Sequence, residues 1–397
     1  MPRSGHHSAE RTGAVRGLRL VARIVVVLLS VSALVVSGYA WATWNDFTSH
    51  ITRVAAIGGG GPSEDGHKIP DVDGKDQNIL IVGNDDRSTA TDAELSKLGT
   101  TRDGGSLNTD TMMVLHVPAN GRKAVVIGIP RDSYVAIPGH DMNKINSAYK
   151  DGYLENHNDK NAGSKLAVQT VENLTGLTID HFVQVDLIGF YRISLAIKGV
   201  SVNLCSAVQE SESGVDLPKG VSNIQGTQAL AFVRQRYGFP NGLGDLDRIK
   251  RQQYFLSAAF RKISSSGMLL DLFKLRNLLK AVSSSLTMDQ TLQPLTLAEQ
   301  MQDLTTGNLA FTTIPTDGFH KYDGVGDTVV VHPDQVRAAV TALIGQTGQP
   351  ATGHSSAGPK TPPPPTHPAG SGSGAPSSGG SSSGVTTARQ AASGCID

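Results

Sequence analysis

The chain has 397 residues, and 35 Lys and Arg balance 35 Asp and Glu, so the formal net charge is zero. That balance excludes bulk nucleic-acid binding, which needs a basic face to displace counterions; any work done by cations must come from local clustering. Two cysteines, Cys205 and Cys395, are too few for a disulfide scaffold and match no zinc spacing, leaving either one disulfide that ties the tail to the domain or two free thiols.

Residues 1–23 carry Arg3, Arg11, Arg16, Arg19 and Arg23 against one acid, Glu10, and precede an uncharged apolar run at 24–44 (IVVVLLSVSALVVSGYAWATW). The run is long enough to cross a bilayer as a helix. The arginines place residues 1–23 in the cytoplasm and everything after Asn45 outside, with Trp41 and Trp44 at the outer interface. A cleaved signal peptide is the competing reading, because Ala40-Trp41-Ala42 has a small-x-small form. The length of the run favours an uncleaved single-pass anchor in the cell membrane. On either reading the folded part is extracytoplasmic. Residues 45–76 read as a juxtamembrane stretch and a Gly/Asp-rich linker. At the far end, 346–397 is dominated by Gly, Ser, Pro and Thr and should be a disordered tail.

Between them, 77–345 has an α/β pattern. Ile79 to Val82 is a short apolar run, hence a buried strand. Thr111 to Val117 and Ala124 to Ile129 are two more, joined across Asn120-Gly121, a hairpin turn signal. Lys165 to Leu174 reads as a helix and Phe182 to Val185 as a strand. Asp245 is a candidate cap for a helix to about Ile263, with an apolar stripe at Leu246, Ile249, Leu256, Phe260 and Ile263. Leu309 to Ile314 and Thr328 to Val331 read as strands, and Pro333 opens a last helix.

The charged residues fall at the ends of these strands. The first runs out into Asp85, Asp86 and Arg87; the second begins at Asp110; the third ends in Arg131 and Asp132. A hairpin sets the start of one strand beside the end of the other, so Asp110 and Arg131 should meet. Asp85 and Arg87 join them if the first strand is parallel to the third, and ligands in α/β folds bind at such a rim. Arg234 and Arg236 follow an apolar run, two apart, which in extended chain puts both on one face. Arg248 and Gln252 are four apart on the next helix and share a face, with Arg251 flanking it. Clustered guanidiniums match phosphate oxygens, and two carboxylates among them point to a divalent cation bridging those oxygens. Taken singly, any such pair is more often a surface ion pair contributing little.

Four blocks in this order resemble the LytR-CpsA-Psr family of cell-wall glycopolymer ligases: NILIVGNDDR (78–87), NTDTMMVLHV (108–117), IPRDSYVAIPG (129–139) with KINSAY (144–149), and QALAFVRQR (228–236) with DLDRIKRQQ (245–253). The similarity covers roughly 76–260 and is weaker on to about 345. One position departs: many members have arginine where this chain has Asn108. The resemblance implies a single α/β/α domain with a central mixed sheet. It also implies a polyprenyl-pyrophosphate-linked glycan as donor, its tail in an apolar groove, and magnesium as the metal. The implied reaction moves a phosphoglycosyl polymer (teichoic acid, capsule or arabinogalactan type) to a peptidoglycan hydroxyl. On that basis Asp110 is the first metal ligand and Asp85 the second. Arg87, Arg131, Arg234 and Arg236 clamp the pyrophosphate, Gln252 hydrogen-bonds it and Arg248 assists. Lys144 is either an extra phosphate contact or merely solvated. Asp85, Asp86 and Asp132 are the candidate bases. Leu187, Ile188 and Phe190 either line a lipid groove or pack in the core. His116 and His181 read as packed or surface residues. The rival readings are a polyprenyl-pyrophosphate phosphatase, a non-catalytic lipid-carrier-binding wall protein, and a transcription regulator, which the extracytoplasmic topology opposes.

Overall fold

The computed structural model describes residues 9–57, 76–119, 123–235, 245–265, 285–292 and 309–347, with isolated positions at 278, 280 and 283 and short pieces at 386–387 and 394–396. The uncharged run lies in one helix, α1 (Ala9–Ser49), of which Val25–Ser49 is long and apolar enough to cross a membrane. The residues after the run are not a free connector. Phe47 and Ile51 are buried against Leu286, Met288 and Leu292, and β1 (Thr52–Val54) follows within the main sheet. The folded unit therefore takes up the first part of the 45–76 stretch.

Next come β2 (Gln77–Asp85), a short helix α2 (Asp92–Lys97), β3 (Ser106–Val117) and β4 (Ala124–Ile129). The hairpin β5 (Tyr134–Ala136) and β6 (Met142–Lys144) leads into helices α3 (Ala148–Glu155) and α4 (Lys160–Thr175), then β7 (His181–Asp186) and α5 (Leu187–Ala196). Four short strands, β8 (Val200–Leu204), β9 (Val208–Glu210), β10 (Val215–Leu217) and β11 (Gly220–Ile224), precede α6 (Thr227–Arg234) and α7 (Asp245–Ser265). The chain continues through β12 (Leu286–Asp289), β13 (Leu309–Thr313), the hairpin β14 (Phe319–Tyr322) and β15 (Gly326–Val329), α8 (Pro333–Thr347) and β16 (Thr386–Thr387).

The main sheet has eight strands in the order β1-β12-β7-β2-β3-β4-β13-β16. The two antiparallel steps from β2 through β3 to β4 make β2 and β4 parallel. Strand β7 is parallel to β2, and β13 to β4. Four strands thus deliver their C-terminal ends to one rim, as the sequence pattern anticipated for the first and third. All six residues of β4 (AVVIGI) are buried, as expected of a strand covered on both faces. One face packs Leu80, Val82, Met112, Val114, Ile127 and Ile129 against α4 (Ala167, Val168, Val171) and α8 (Val336, Val340, Leu343). Each such side chain contributes about 1.5–3 kcal/mol by leaving water. Over the other face lie α5, α6 and α7, with a second core in which Phe232 of α6 and Tyr254 and Phe255 of α7 pack against β8 to β11.

Two readings change and one holds with a shifted boundary. The apolar run before Arg234 is helical, not extended: Gly226, at φ +58°, turns the chain into α6. The strand expected at 328–331 is borne out as β15, which begins two residues earlier and pairs with β14. The tail is not wholly detached, since Thr386–Thr387 pairs with β13 and Cys395 forms a disulfide with Cys205. Ile396 lies beside it, donating its N–H to the Asn203 carbonyl and accepting from the Cys205 N–H.

Candidate functional site

Strand β3 carries an irregularity at the position that matters. Gly83 of β2 faces Thr111, and the next residue, Asn84, faces Thr109, so Asp110 is skipped in the register. A bulge of this kind re-aims one side chain. Strict alternation would send Asp110 and Thr111 to opposite faces, yet both line the same cavity. The bulge therefore turns the Asp110 carboxylate onto the face shared by Thr111 and Met113. Just before β3, a Cβ at Gly105 would lie 2.3 Å from the Asp85 carbonyl oxygen of β2, so only glycine lets the two segments approach this closely.

The carboxylates and cations then pair in a defined chain. Arg131 donates to Asp110 Oδ1, and its Nε lies 3.3 Å from Asp132 Oδ2. Lys144 Nζ is 3.4 Å from the other Asp132 oxygen. Arg248, only 3% exposed, donates to the Asp110 backbone carbonyl at 3.2 Å. Arg87 takes a different place. It grips Asp85 with both ends of its fork, at 2.7 and 2.5 Å, and its remaining nitrogen donates to Thr100 and to the Thr101 carbonyl. Asp85 lines the cavity while Arg87, 6% exposed, braces it from behind.

The cavity is about 470 Å³ and has two characters. Its polar lining is Asn84, Asp85, Asp110, Asp186, Arg234, Arg248 and Gln252 at the rim, together with Glu210, Glu212 and Ser213 from the segment at β9. Inward it is apolar, running between the sheet residues Ile81, Met113 and Val185 and the helical residues Leu187, Phe190, Ile193, Leu230, Phe255, Leu256 and Ala259. Leu187 and Phe190 thus line a groove, whereas Ile188 packs with Ala90 and Leu95 in a separate core. Arg248 and Gln252 share the cavity-facing side of α7, as four-residue spacing requires. Arg251 points elsewhere: it is fully buried and donates to the Gln235 carbonyl at 2.8 Å, holding the chain where it leaves α6. Arg236 lies outside the described residues.

The sequence reading missed Asp186, which lines the cavity beside Asn84 at the end of β7. Its position immediately after a β-branched strand was the available signal. Burial pushes its carboxyl up to about 6, against hydrogen bonds from the Gly189 N–H and the Thr89 hydroxyl. Those bonds make it the cap of α5. His116 and His181 sit in packed surroundings on Asn78 and Asp289.

Among the described residues no group of three or more His, Cys, Asp or Glu is arranged to hold a metal. Magnesium differs from transition metals in needing only one or two carboxylates, with phosphate and water oxygens completing its shell. Asp110 fits that demand: its side chain is 37% exposed and only Oδ1 is engaged among the described residues. Both oxygens of Asp85 are held by Arg87, which suits it better to accept from a metal-bound water.

The fold is shared with solved structures. TagT bound to LI-WTA is 21% identical with a TM-score of 0.51, covering 75% of this chain and all of that one. The chain belongs to the LytR_cpsA_psr family, which it matches over residues 54–343. The cell wall biosynthesis protein LcpA of Corynebacterium glutamicum is 36% identical over 351 residues, 82% of this chain and 66% of that protein. The polyisoprenyl-teichoic acid–peptidoglycan teichoic acid transferase TagU of Oceanobacillus iheyensis is 36% identical over 201 residues, 49% and 56% of the respective lengths. The chain spans less than two thirds of the length of these curated relatives.

Proposed function

We propose that the chain is a phosphotransferase that moves a phosphoglycosyl polymer from a polyprenyl-pyrophosphate carrier to a peptidoglycan hydroxyl. The observation that carries this reading is the two-part cavity, an apolar groove that opens on a rim of arginines and carboxylates. A lipid pyrophosphate has the matching two parts. The names of the TagU relative and of ligand-bound TagT fit the same chemistry. The whole chain would act from the membrane, with α1 as a single-pass anchor, its N-terminus in the cytoplasm and the domain outside.

In this mechanism Leu187, Phe190, Leu230 and Phe255 hold the first isoprene units. Arg248, Gln252 and Arg234 bind the pyrophosphate oxygens, and Arg236 is assigned to them from its sequence motif alone. Arg131 sits between Asp110 and Asp132, so its charge is fixed where the attacked phosphorus must lie. Arg87 acts mainly through Asp85, which it orients. Asp110, with Asp85 beside it, would hold a magnesium ion, which would supply positive charge to offset that of the phosphates and the carboxylates. The acceptor hydroxyl oxygen bonds to the glycan-side phosphorus, the P–O bond to the second phosphate breaks, and polyprenyl phosphate leaves with the electron pair. The proton passes to a carboxylate, for which Asp85, Asp86 and Asp132 are the candidates; Asp85 is held by Arg87 and Asp132 by Arg131 and Lys144. Catalysis is then mainly positioning and charge stabilisation.

The test is product analysis on the full chain in proteoliposomes with a labelled lipid-linked glycan, magnesium and solubilised peptidoglycan. Polyprenyl phosphate release that requires peptidoglycan supports the transferase. Release without acceptor makes the protein a phosphatase, and tight binding without release makes it a carrier-binding wall protein.

A further inference from the structure

Beyond Asp132, on the side of the rim away from the apolar cavity, three rings stand in a row. Tyr134 of β5 stacks on Tyr322 of β14, with ring centroids 4.0 Å apart and planes at 18°. His320 meets Tyr322 at 4.4 Å. Residues 320 and 322 share one face of β14 by alternation; His320 is exposed and Tyr322 half-buried. The row is fixed to the site. Val329 donates to the Asp132 carbonyl at 2.8 Å and forms a bridge with Ser133, and Tyr134 is paired across the β5–β6 hairpin with Lys144, which holds Asp132. His320, Tyr322, Tyr134, Lys144, Asp132, Arg131 and Asp110 thus form a continuous track from surface to site. The C-terminal ends of β4 and β13 lie one and two strands from β3, so the row is on the order of 10 Å from the bulge.

We propose that this ring row is a binding platform for the acceptor, an amino-sugar glycan strand. The inference rests on the transferase reading and deepens it. In phosphoryl transfer the entering and leaving oxygens lie roughly in line across phosphorus. The leaving oxygen carries the lipid and therefore points to the apolar cavity. The entering hydroxyl must come from the opposite side, along Arg131 and Asp132, where the ring row begins. A pyranose has one face of C–H groups that rests flat on a tyrosine ring, while its hydroxyls and amide remain free for Lys144 and His320. Stacking of this kind leaves water without demanding charge, which suits a long sugar polymer. Phe319, 58% exposed, lies on the other face of the hairpin and takes no part.

The experiment is calorimetric titration of the full chain in detergent micelles with peptidoglycan glycan strands freed of stem peptide, alongside acceptor and donor KM from the transfer assay. Tyr322→Ala and Tyr134→Ala are expected to weaken strand binding and raise the acceptor KM by roughly tenfold each, leaving donor KM unchanged. Tyr322→Phe, which keeps the ring, and Phe319→Ala, on the opposite face, should bind as wild type. Tyr134→Ala reads the platform from a second hairpin should Tyr322→Ala disturb β14. Wild-type binding in both alanine variants, or titration by free stem peptide in place of the glycan strand, overturns the platform. Strand binding lost in these variants while no transfer is found in any protein would sink the transferase reading and leave the platform standing.

Discussion

Gly105→Ala tests the site through sterics alone. Gly105 has φ −80° and ψ 169°, a conformation alanine adopts freely, so no backbone strain is added. Its new Cβ would lie 2.3 Å from the Asp85 carbonyl oxygen and 3.6 Å from Arg87 Cγ. Restoring an ordinary carbon–oxygen contact of about 3.3 Å needs a shift of about 1 Å. That shift falls on the segment that carries Asp85 and the buried Arg87. Overpacking of this kind costs about 1–3 kcal/mol of stability, whereas a displacement of about 1 Å at a reacting centre costs roughly a hundredfold in rate. Thermal unfolding and acceptor-dependent release of polyprenyl phosphate read the two effects separately. Gly99→Ala is the control. Gly99 has φ +59° and nothing within 4 Å of its added Cβ, so that variant should lose stability from backbone strain while keeping kcat/KM. Wild-type kcat/KM in Gly105→Ala, with Asp85 unmoved in its structure, would refute the close approach as a determinant of the site.

Asp110→Asn removes the charge from a half-exposed carboxylate, so stability should change by less than about 1 kcal/mol. Transfer should fall by about 10²–10³-fold, and added magnesium should not restore it; kinetics with a magnesium series checks this. Glu172 is buried and its carboxyl is raised to about 7 by desolvation, with the Ile179 N–H bond opposing and Asp180 adding to the rise. The folded state therefore binds its proton more tightly than the unfolded state. Its contribution is fully present below the ordinary value of 4.5 and is lost as pH rises through about 7. Glu172→Gln should thus match wild type near pH 4 and exceed it by up to about 3 kcal/mol at pH 8, read by denaturant titration at both pH values. Cys395→Ser opens a bond closing 190 residues of sequence, and denaturant unfolding should show a loss of about 2–5 kcal/mol that reductant reproduces in the wild type.

The charged rim was legible because its information is local. Asp85, Arg131 and Asp132 sit directly after short apolar strands, Asp110 directly before one, and hairpin geometry does the rest. The bulge was not legible, since Asn108-Thr109-Asp110-Thr111 is polar throughout and a two-residue period cannot mark a skipped residue in a stretch without apolar alternation. Ala229 to Val233 misled for a related reason: five apolar residues are too few to separate strand from helix, and the deciding residue is Gly226. β1 and β16 are three and two residues long, so they owe their conformation to the strands beside them rather than to their own composition. The pairing of Cys205 with Cys395 depends on a return of the chain end to β8 that no spacing rule encodes.

The register of β1 also fixes how the domain sits on its anchor. Thr52 lies level with Thr287 and through it with Gln184, two residues before Asp186. The chain thus passes from α1 into the sheet at the rim end, and β1 then runs away from it. With α1 embedded, the rim is the part of the domain held nearest the bilayer surface. On the proposed function, a substrate tethered by its own isoprenoid in that bilayer would arrive at the level of Asp110 and Arg248 by lateral diffusion alone. Its effective concentration is then set by membrane area rather than volume. The few residues between Ser49 and Thr52, with Phe47 and Ile51 pinned against β12, would act as a short, stiff spacer that fixes the stand-off of the catalytic face.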